Sequence, residues 1–144
     1  IPDAKMKMGF DHIVPLSRQT LDILHQMRPI TGKRQYVFPK QTNLKEHMHR
    51  DSLSKAVRAL GFQDRHSAHG FRAMARTAIR EKLNYDSEII ERQLAHAPNT
   101  SLGRAYDRAK FIEQRVEMMQ AWADYLDNAV SDGKVVAGGF RKKT

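Results

Sequence analysis

The 144-residue chain predicts a mainly α-helical domain with a small β-hairpin remnant near its N-terminus. Three observations point there. Apolar residues recur at helical spacing in five stretches, against two short β-branched runs. Those runs do not alternate with the helices, which rejects a doubly wound sheet. The length suits one ordinary domain with a real core.

The elements follow in order. Residues 10–16, Phe-Asp-His-Ile-Val-Pro-Leu, read as a short strand after a Lys-Met-Lys-Met-Gly turn, and Pro15 closes it. Ser17 caps a helix carrying Leu21, Leu24 and Met27, which Pro29 stops. Tyr36-Val37-Phe38 is a brief extended segment ended by Pro39, and residues 40–50 read as a polar loop. Asp51 or Ser52 caps a helix with Leu53, Val57 and Leu60 on one face, ended by Gly61. Ser67 caps the next, with Phe71, Ala75, Ala78 and Ile79 inward. Asp86 or Ser87 starts another, with Ile89, Ile90 and Leu94, broken by Pro98. The longest helix runs from about Asp107 to Asn128, with a stripe of Ile112, Val116, Met119, Ala123 and Leu126 beside Trp122. Residues 1–128 are expected to form the domain, and residues 129–144, with three glycines and no period, a flexible tail. The chain opens Ile1-Pro2 with no leader, and reads as an internal piece of a longer protein.

Composition excludes several chemistries. With no cysteine there is no disulfide framework, thiolate metal site or thiol nucleophile. No apolar run is long enough to span a membrane. Net charge is +9, and it is concentrated. From Arg28 to Arg80 there are 12 basic residues against Glu46, Asp51 and Asp64, so this block carries the whole imbalance. Such a block suits a polyanion, because each neutralised phosphate releases condensed counterions. A soluble basic surface without a specific partner is the bland competitor.

No P-loop, Gly-x-Gly-x-x-Gly or Gly-x-Ser-x-Gly motif is present. His47 and His49 are two apart, which on a helix points them to different sides, so no metal is expected there. His66 and His69 could share one, but helix ends and core hydrogen bonds are commoner partners. The strongest local feature is His69-Gly70-Phe71-Arg72. His and Arg at i,i+3 share a helix face. One side chain titrates near neutral pH, and the other is a permanent fork for phosphate oxygens. Gly70 lets another backbone come close. Leu94-Ala95-His96-Ala97-Pro98 places a histidine at a helix break, and Arg104-Ala105-Tyr106-Asp107-Arg108 puts a tyrosine between arginines. Each feature also has a structural reading, as a helix-end histidine or a core tyrosine.

The ordered set is a lysine before a strand ending Val-Pro-Leu, then His-x-x-Arg, Leu-x-His, and a tyrosine about ten residues on. It resembles the catalytic domain of tyrosine recombinases, the phage integrase family. Tyr36-Val37-Phe38-Pro39, Ile90-Glu91-Arg92-Gln93-Leu94-Ala95-His96, Ala105-Tyr106-Asp107-Arg108-Ala109 and residues 118–126 look like its prophage and genomic-island branch. The resemblance covers residues 5–128 and implies the DNA breaking-rejoining fold, lacking its first segment. It implies Tyr106 as nucleophile forming a 3′-phosphotyrosine and Arg72 on the non-bridging oxygens. His69 would be base or orienter and His96 would hydrogen-bond the phosphate. Lys7, with Lys5 as competitor, would protonate the leaving 5′-oxygen. No metal or other cofactor is implied. Partners would be double-stranded DNA attachment sites and other integrase protomers, with no membrane and no small-molecule substrate, in the bacterial cytoplasm at the nucleoid. Lys33, Arg34, Lys40, Lys45, Arg50, Lys55 and Arg76 become candidate phosphate contacts. The resemblance implies a first arginine upstream of the hairpin, and this chain is expected to begin after it. Thr31-Gly32-Lys33-Arg34 imitates its motif but follows Val-Pro-Leu, in the wrong order. The chain alone is therefore expected to catalyse little.

Two other classes remain open. A non-catalytic DNA-binding regulator with a helix-turn-helix near residues 51–82 explains charge and helices, but not the spacing of His96 and Tyr106. A helical interaction module would use the Met/Trp stripe of residues 116–126, a pattern that more often marks a core.

Overall fold

The computed structural model describes residues 1–6, 9–96 and 111–132. Among these, helices dominate and one two-stranded antiparallel sheet is present. Helix α1 (Arg18–Thr31) begins where the sequence places it: Ser17 is buried, and its Oγ accepts from the Thr20 N–H at 3.3 Å. It does not stop at Pro29. Pro29 forfeits its own N–H bond and crowds the carbonyl four residues back, but it stands two residues from the helix end, and the last turn closes around it. Gly32 N–H donates to Arg28 O at 2.8 Å, and the buried Thr31 Oγ1 lies 3.2 Å from Met27 O and 2.9 Å from Val37 O.

The sheet is not where the β-branched run predicts it. Residues 10–16 pair with no strand among the described residues. They are held by isolated bonds, such as His12 N–H to Ile1 O at 2.9 Å and the Ile1 ammonium to His12 O at 2.7 Å. The described ladder joins β1 (Pro39–Lys40) to β2 (Asn43–His47), with an irregular register pairing Pro39 to His47 and Lys40 to Asn43. This stretch was expected as a loop. Every residue of β2 is exposed, so neither face imposed the apolar alternation by which strands are read. Pro39 opens the strand rather than ending one, a position where its missing N–H costs no ladder bond.

Helix α2 (Ser52–Val57) passes into a wider turn at Arg58–Phe62, where Gly61 takes φ +85°. Only glycine adopts that conformation without strain. Helix α3 (Gly70–Glu81) starts after a turn in which Ser67 Oγ accepts from Gly70 N–H at 3.0 Å. Helix α4 (Ser87–Gln93) is capped by Asp86, whose carboxylate accepts from Glu88 N–H at 2.7 Å. Helix α5 (Ile112–Asp132) starts after Phe111 at φ +45° and continues past Asn128, where the tail was expected to begin.

Helices α3, α4 and α5 pack on one another around Ile79, Ile90 and Met118, with Ala75, Leu83, Tyr85, Ile89, Leu94, Met119 and Trp122 against them. Burying such side chains contributes roughly 1.5–3 kcal/mol each. The face α5 buries is shifted from the expected stripe. Arg115 and Met118 are buried, whereas Val116 is 49% and Leu126 38% exposed. Phe71, expected inward, is also largely exposed and instead meets the His66 ring edge-on at 4.3 Å. The start of α1 is tied to α5 by polar groups. Gln19 Nε2 donates to Asp124 and Asp127 at 2.8 Å each, and Arg18 pairs with Asp124 at 3.2 Å.

Candidate functional site

The site forms where the first turns of α3 meet the end of α4. His69, Arg72 and Arg76 recur at i,i+3 and i,i+4 spacing on α3, so they share one face. Gly70 makes the start of this helix possible. A Cβ there would lie 2.9 Å from His66 Cε1. The close neighbour is thus an imidazole ring rather than the backbone the sequence suggested. His66 Nε2 is buried without a hydrogen-bond partner among the described residues.

Opposite this face, α4 ends in a tight reversal. His96 N–H donates to Glu91 O at 3.0 Å, Ala95 N–H donates to Arg92 O at 3.1 Å, and Ala95 takes φ +53°. This is a Schellman termination, with alanine in the place that glycine usually fills. The helix therefore ends by its own capping bonds well before Pro98, the expected breaker, which lies outside the described residues. The reversal turns His96 back along the helix, where its Nδ1–H donates to Glu91 Oε2. Glu91 Oε1 in turn accepts from Arg76 Nε at 2.5 Å. Arg72 Nη2 donates to Leu94 O, one of the orphan carbonyls of the α4 terminus. Arg72 and His96 are thereby brought to the same end of α4. His69 stands one turn before Arg72, exposed at the N-terminal boundary of α3.

A second layer holds this end in place. Arg115 of α5 is only 4% exposed; its Nε donates to Gln93 Oε1 at 2.9 Å and its Nη2 donates to Ile13 O. Burial, and the nearby Arg92 charge, lower its pKa. His12 Nε2–H donates to Gln93 O at 3.2 Å. Its pKa is lowered chiefly by burial, then by the charge of Arg115, with Arg72 adding to the effect. Burial pushes the Glu91 carboxyl up, but hydrogen bonds from His96 and Arg76 outweigh it and hold the pKa below the usual carboxylate range.

The remaining sequence-predicted residues are dispersed. Lys7 and Tyr106 lie outside the described residues. Lys5 closes an exposed helical turn at Asp3–Lys5. Lys45 sits on β2 and Lys55 on α2, while Lys33 and Arg34 follow α1; all four are exposed. Lys40 is paired with Glu46 at 2.8 Å, Arg50 with Asp51 at 3.7 Å, and Arg76 with Glu91. His12, Glu91, Gln93 and Arg115 were missed as site residues. His12 stood out as a histidine inside an apolar run. Glu91 and His96 are five apart, a spacing that brings no pair together on a straight helix. Among the described residues no group of three or more His, Asp or Glu side chains could hold a metal ion, and no helix is long and apolar enough to cross a membrane.

Arg72 of His-x-x-Arg and His96 of Leu-x-His thus meet at one end of α4 in a mainly helical, basic chain. Comparison with known proteins agrees: the model of the phage integrase family matches residues 1–113, and the chain belongs to that family. Prophage integrase IntA of Escherichia coli (strain K12) is 39% identical over 136 residues, 94% of this chain and 32% of that protein. The integrase of Enterobacteria phage P4 is 39% identical over 125 residues, 85% of this chain and 28% of its own length. That of Shigella phage Sf6 is 33% identical over 120 residues, 83% of this chain and 31% of its own. The chain thus spans about a third of the length of the curated relatives it matches. No solved structure matches.

Proposed function

We propose that the chain is the main part of the catalytic domain of a tyrosine recombinase that integrates a mobile element by cutting and rejoining DNA. The observation that carries this is the convergence of Arg72 and His96 on the end of α4, beside the basic block. Arg72 spends one N–H on Leu94 O, which leaves the other guanidinium donors for a phosphate. An arginine fixed in this way is preorganised, so it needs no rearrangement as charge builds on the non-bridging oxygens. His96 adds a ring nitrogen on the edge away from Glu91.

In this reading Tyr106 Oη attacks phosphorus and gives up its proton, with His69 as base or orienter. The 5′-oxygen leaves, protonated by Lys7, and the phosphotyrosine bond conserves the energy for rejoining. No metal or nucleotide takes part. Exposed Lys33, Arg34, Lys45 and Lys55 contact backbone phosphates, and further protomers assemble on the attachment sites. Lys40, Arg50 and Arg76 already have carboxylate partners, so any phosphate contact by them requires sharing or breaking an ion pair.

The test is covalent trapping. Full-length protein containing this chain is mixed with half-site DNA from the element's junctions, whose short cleaved strand diffuses away. A protein–DNA adduct that survives denaturation, and disappears with Tyr106→Phe while DNA binding persists, is the expected result. Adduct formation by Tyr106→Phe, or none by the wild type on DNA that it binds, would overturn the proposal and leave a non-catalytic DNA-binding domain.

A further inference from the structure

Glu91, the middle of the Arg76–Glu91–His96 chain, has no part in the chemistry above, yet it fixes which edge of His96 is available. A carboxylate can only accept, so the Glu91 contact requires a proton on His96 Nδ1. The other oxygen of Glu91 is held by Arg76 Nε at 2.5 Å, which stops the carboxylate from rotating away. Both ends of the chain belong to fixed elements: Arg76 to α3, and His96 to the Schellman reversal after α4. The Glu91 side chain is 29% exposed, the least exposed of the three.

We propose that Glu91 is a positioning residue, anchored by Arg76, that pins the Nδ1 edge of His96 and turns Nε2 toward the DNA phosphate. The inference rests on the recombinase reading for its purpose, but not for its geometry. A carboxylate at Nδ1 does two things for a phosphate-facing histidine. It prevents the ring from flipping, and it supplies the counter-charge when Nε2 carries a proton and donates to a phosphate oxygen. Carboxylate partners that orient metal-bound histidines typically change activity by about 10–100-fold when removed, and the same scale is taken for a carboxylate that orients a phosphate-facing one.

Two readouts separate this inference from the reading beneath it. The first is the ¹⁵N imidazole spectrum of the 144-residue chain without DNA. His96 is expected to carry its proton on Nδ1 when neutral, to lose that signature in Glu91→Leu, and to keep it in Glu91→Gln, which preserves the acceptor and the side-chain shape. A neutral wild-type ring protonated on Nε2, or an Nδ1–H signature unchanged in Glu91→Leu, overturns the inference whatever the protein does to DNA. The second is the rate of adduct formation by the full-length protein. Glu91→Leu is expected to slow it about 10–100-fold while the Kd for DNA stays within about twofold, and Glu91→Gln to recover most of the rate. Cleavage by Glu91→Leu at the wild-type rate overturns the positioning role. A wild type that binds DNA but forms no adduct counts against the recombinase reading, while the spectrum still decides the geometry of Glu91.

Discussion

Arg72 and Leu94, separated by 22 positions in sequence, are joined by a hydrogen bond from the guanidinium to the carbonyl at the end of α4. The bond sets the guanidinium against the negative end of a helix, which favours a cation. It also fixes the plane of the remaining donors. In the recombinase reading, a phosphate arriving at this corner meets a fork already aimed.

Replacing Arg72 by lysine keeps the charge and removes the fork. The expected outcome is a loss of about 100–1,000-fold in single-turnover cleavage by the full-length protein, with DNA affinity changed far less. Adduct formation and a binding isotherm measured on the same preparation check both halves.

Ala95 sits at φ +53°, a conformation that costs an L-residue roughly 1–2 kcal/mol. Ala95→Gly removes that strain and adds about 0.5–1 kcal/mol of unfolded-state entropy. The net expectation is a stabilisation of up to about 1 kcal/mol. Ala95→Val, β-branched, is expected to destabilise and to displace His96. Urea midpoints of both variants decide the matter, and a Val variant as stable as wild type contradicts the Schellman geometry.

His12 predicts a pH dependence. Its native pKa is lowered, chiefly by burial and then by Arg115. As pH falls below the unfolded value near 6.5, the unfolded chain takes a proton that the native chain resists. Stability therefore falls from that pH down to the native pKa, and is recovered as pH rises. His12→Asn is expected to flatten the thermal midpoint over this window. Glu91, with a depressed pKa, acts lower down: its contribution is present above the ordinary carboxylate range and is lost as pH falls through its native value.

Ile90 is 2% exposed at the meeting of α3, α4 and α5. Ile90→Ala is expected to cost about 2–5 kcal/mol and, because α4 carries the site, to reduce cleavage at temperatures where the chain stays folded. Denaturant unfolding gives the first quantity directly.

The helices were legible because their caps are local. Ser17 and Asp86 announce themselves and hydrogen-bond as expected. The mainly helical class and the family resemblance held for the same reason: both rest on short runs and their order. What sequence hid was decided by partners far away. Residues 10–16 look like a strand, but a strand needs a neighbour, and their bonds go instead to Ile1 and to side chains. β2 is exposed throughout and mostly polar, and β1 is only two residues long, so no alternation marked the ribbon. In α5 the expected stripe missed because a buried arginine occupies the inner face, and arginine does not register as apolar. Of the candidate site, Arg72 and His96 were readable from motif order. Glu91 was not, because a reversal at Ala95, rather than helical periodicity, brings it to His96.

Arg115 gathers Ile13, Gln93 and α5 around one buried side chain. This has a consequence for synthesis. The corner that holds Arg72 and His96 is pinned from behind by a residue made after all of them, so a nascent chain halted before Arg115 emerges lacks the side chain that ties Ile13 to Gln93. Completion of this corner is in this way deferred until α5 is made. The corner closes only after the first turn of α5 has left the exit tunnel.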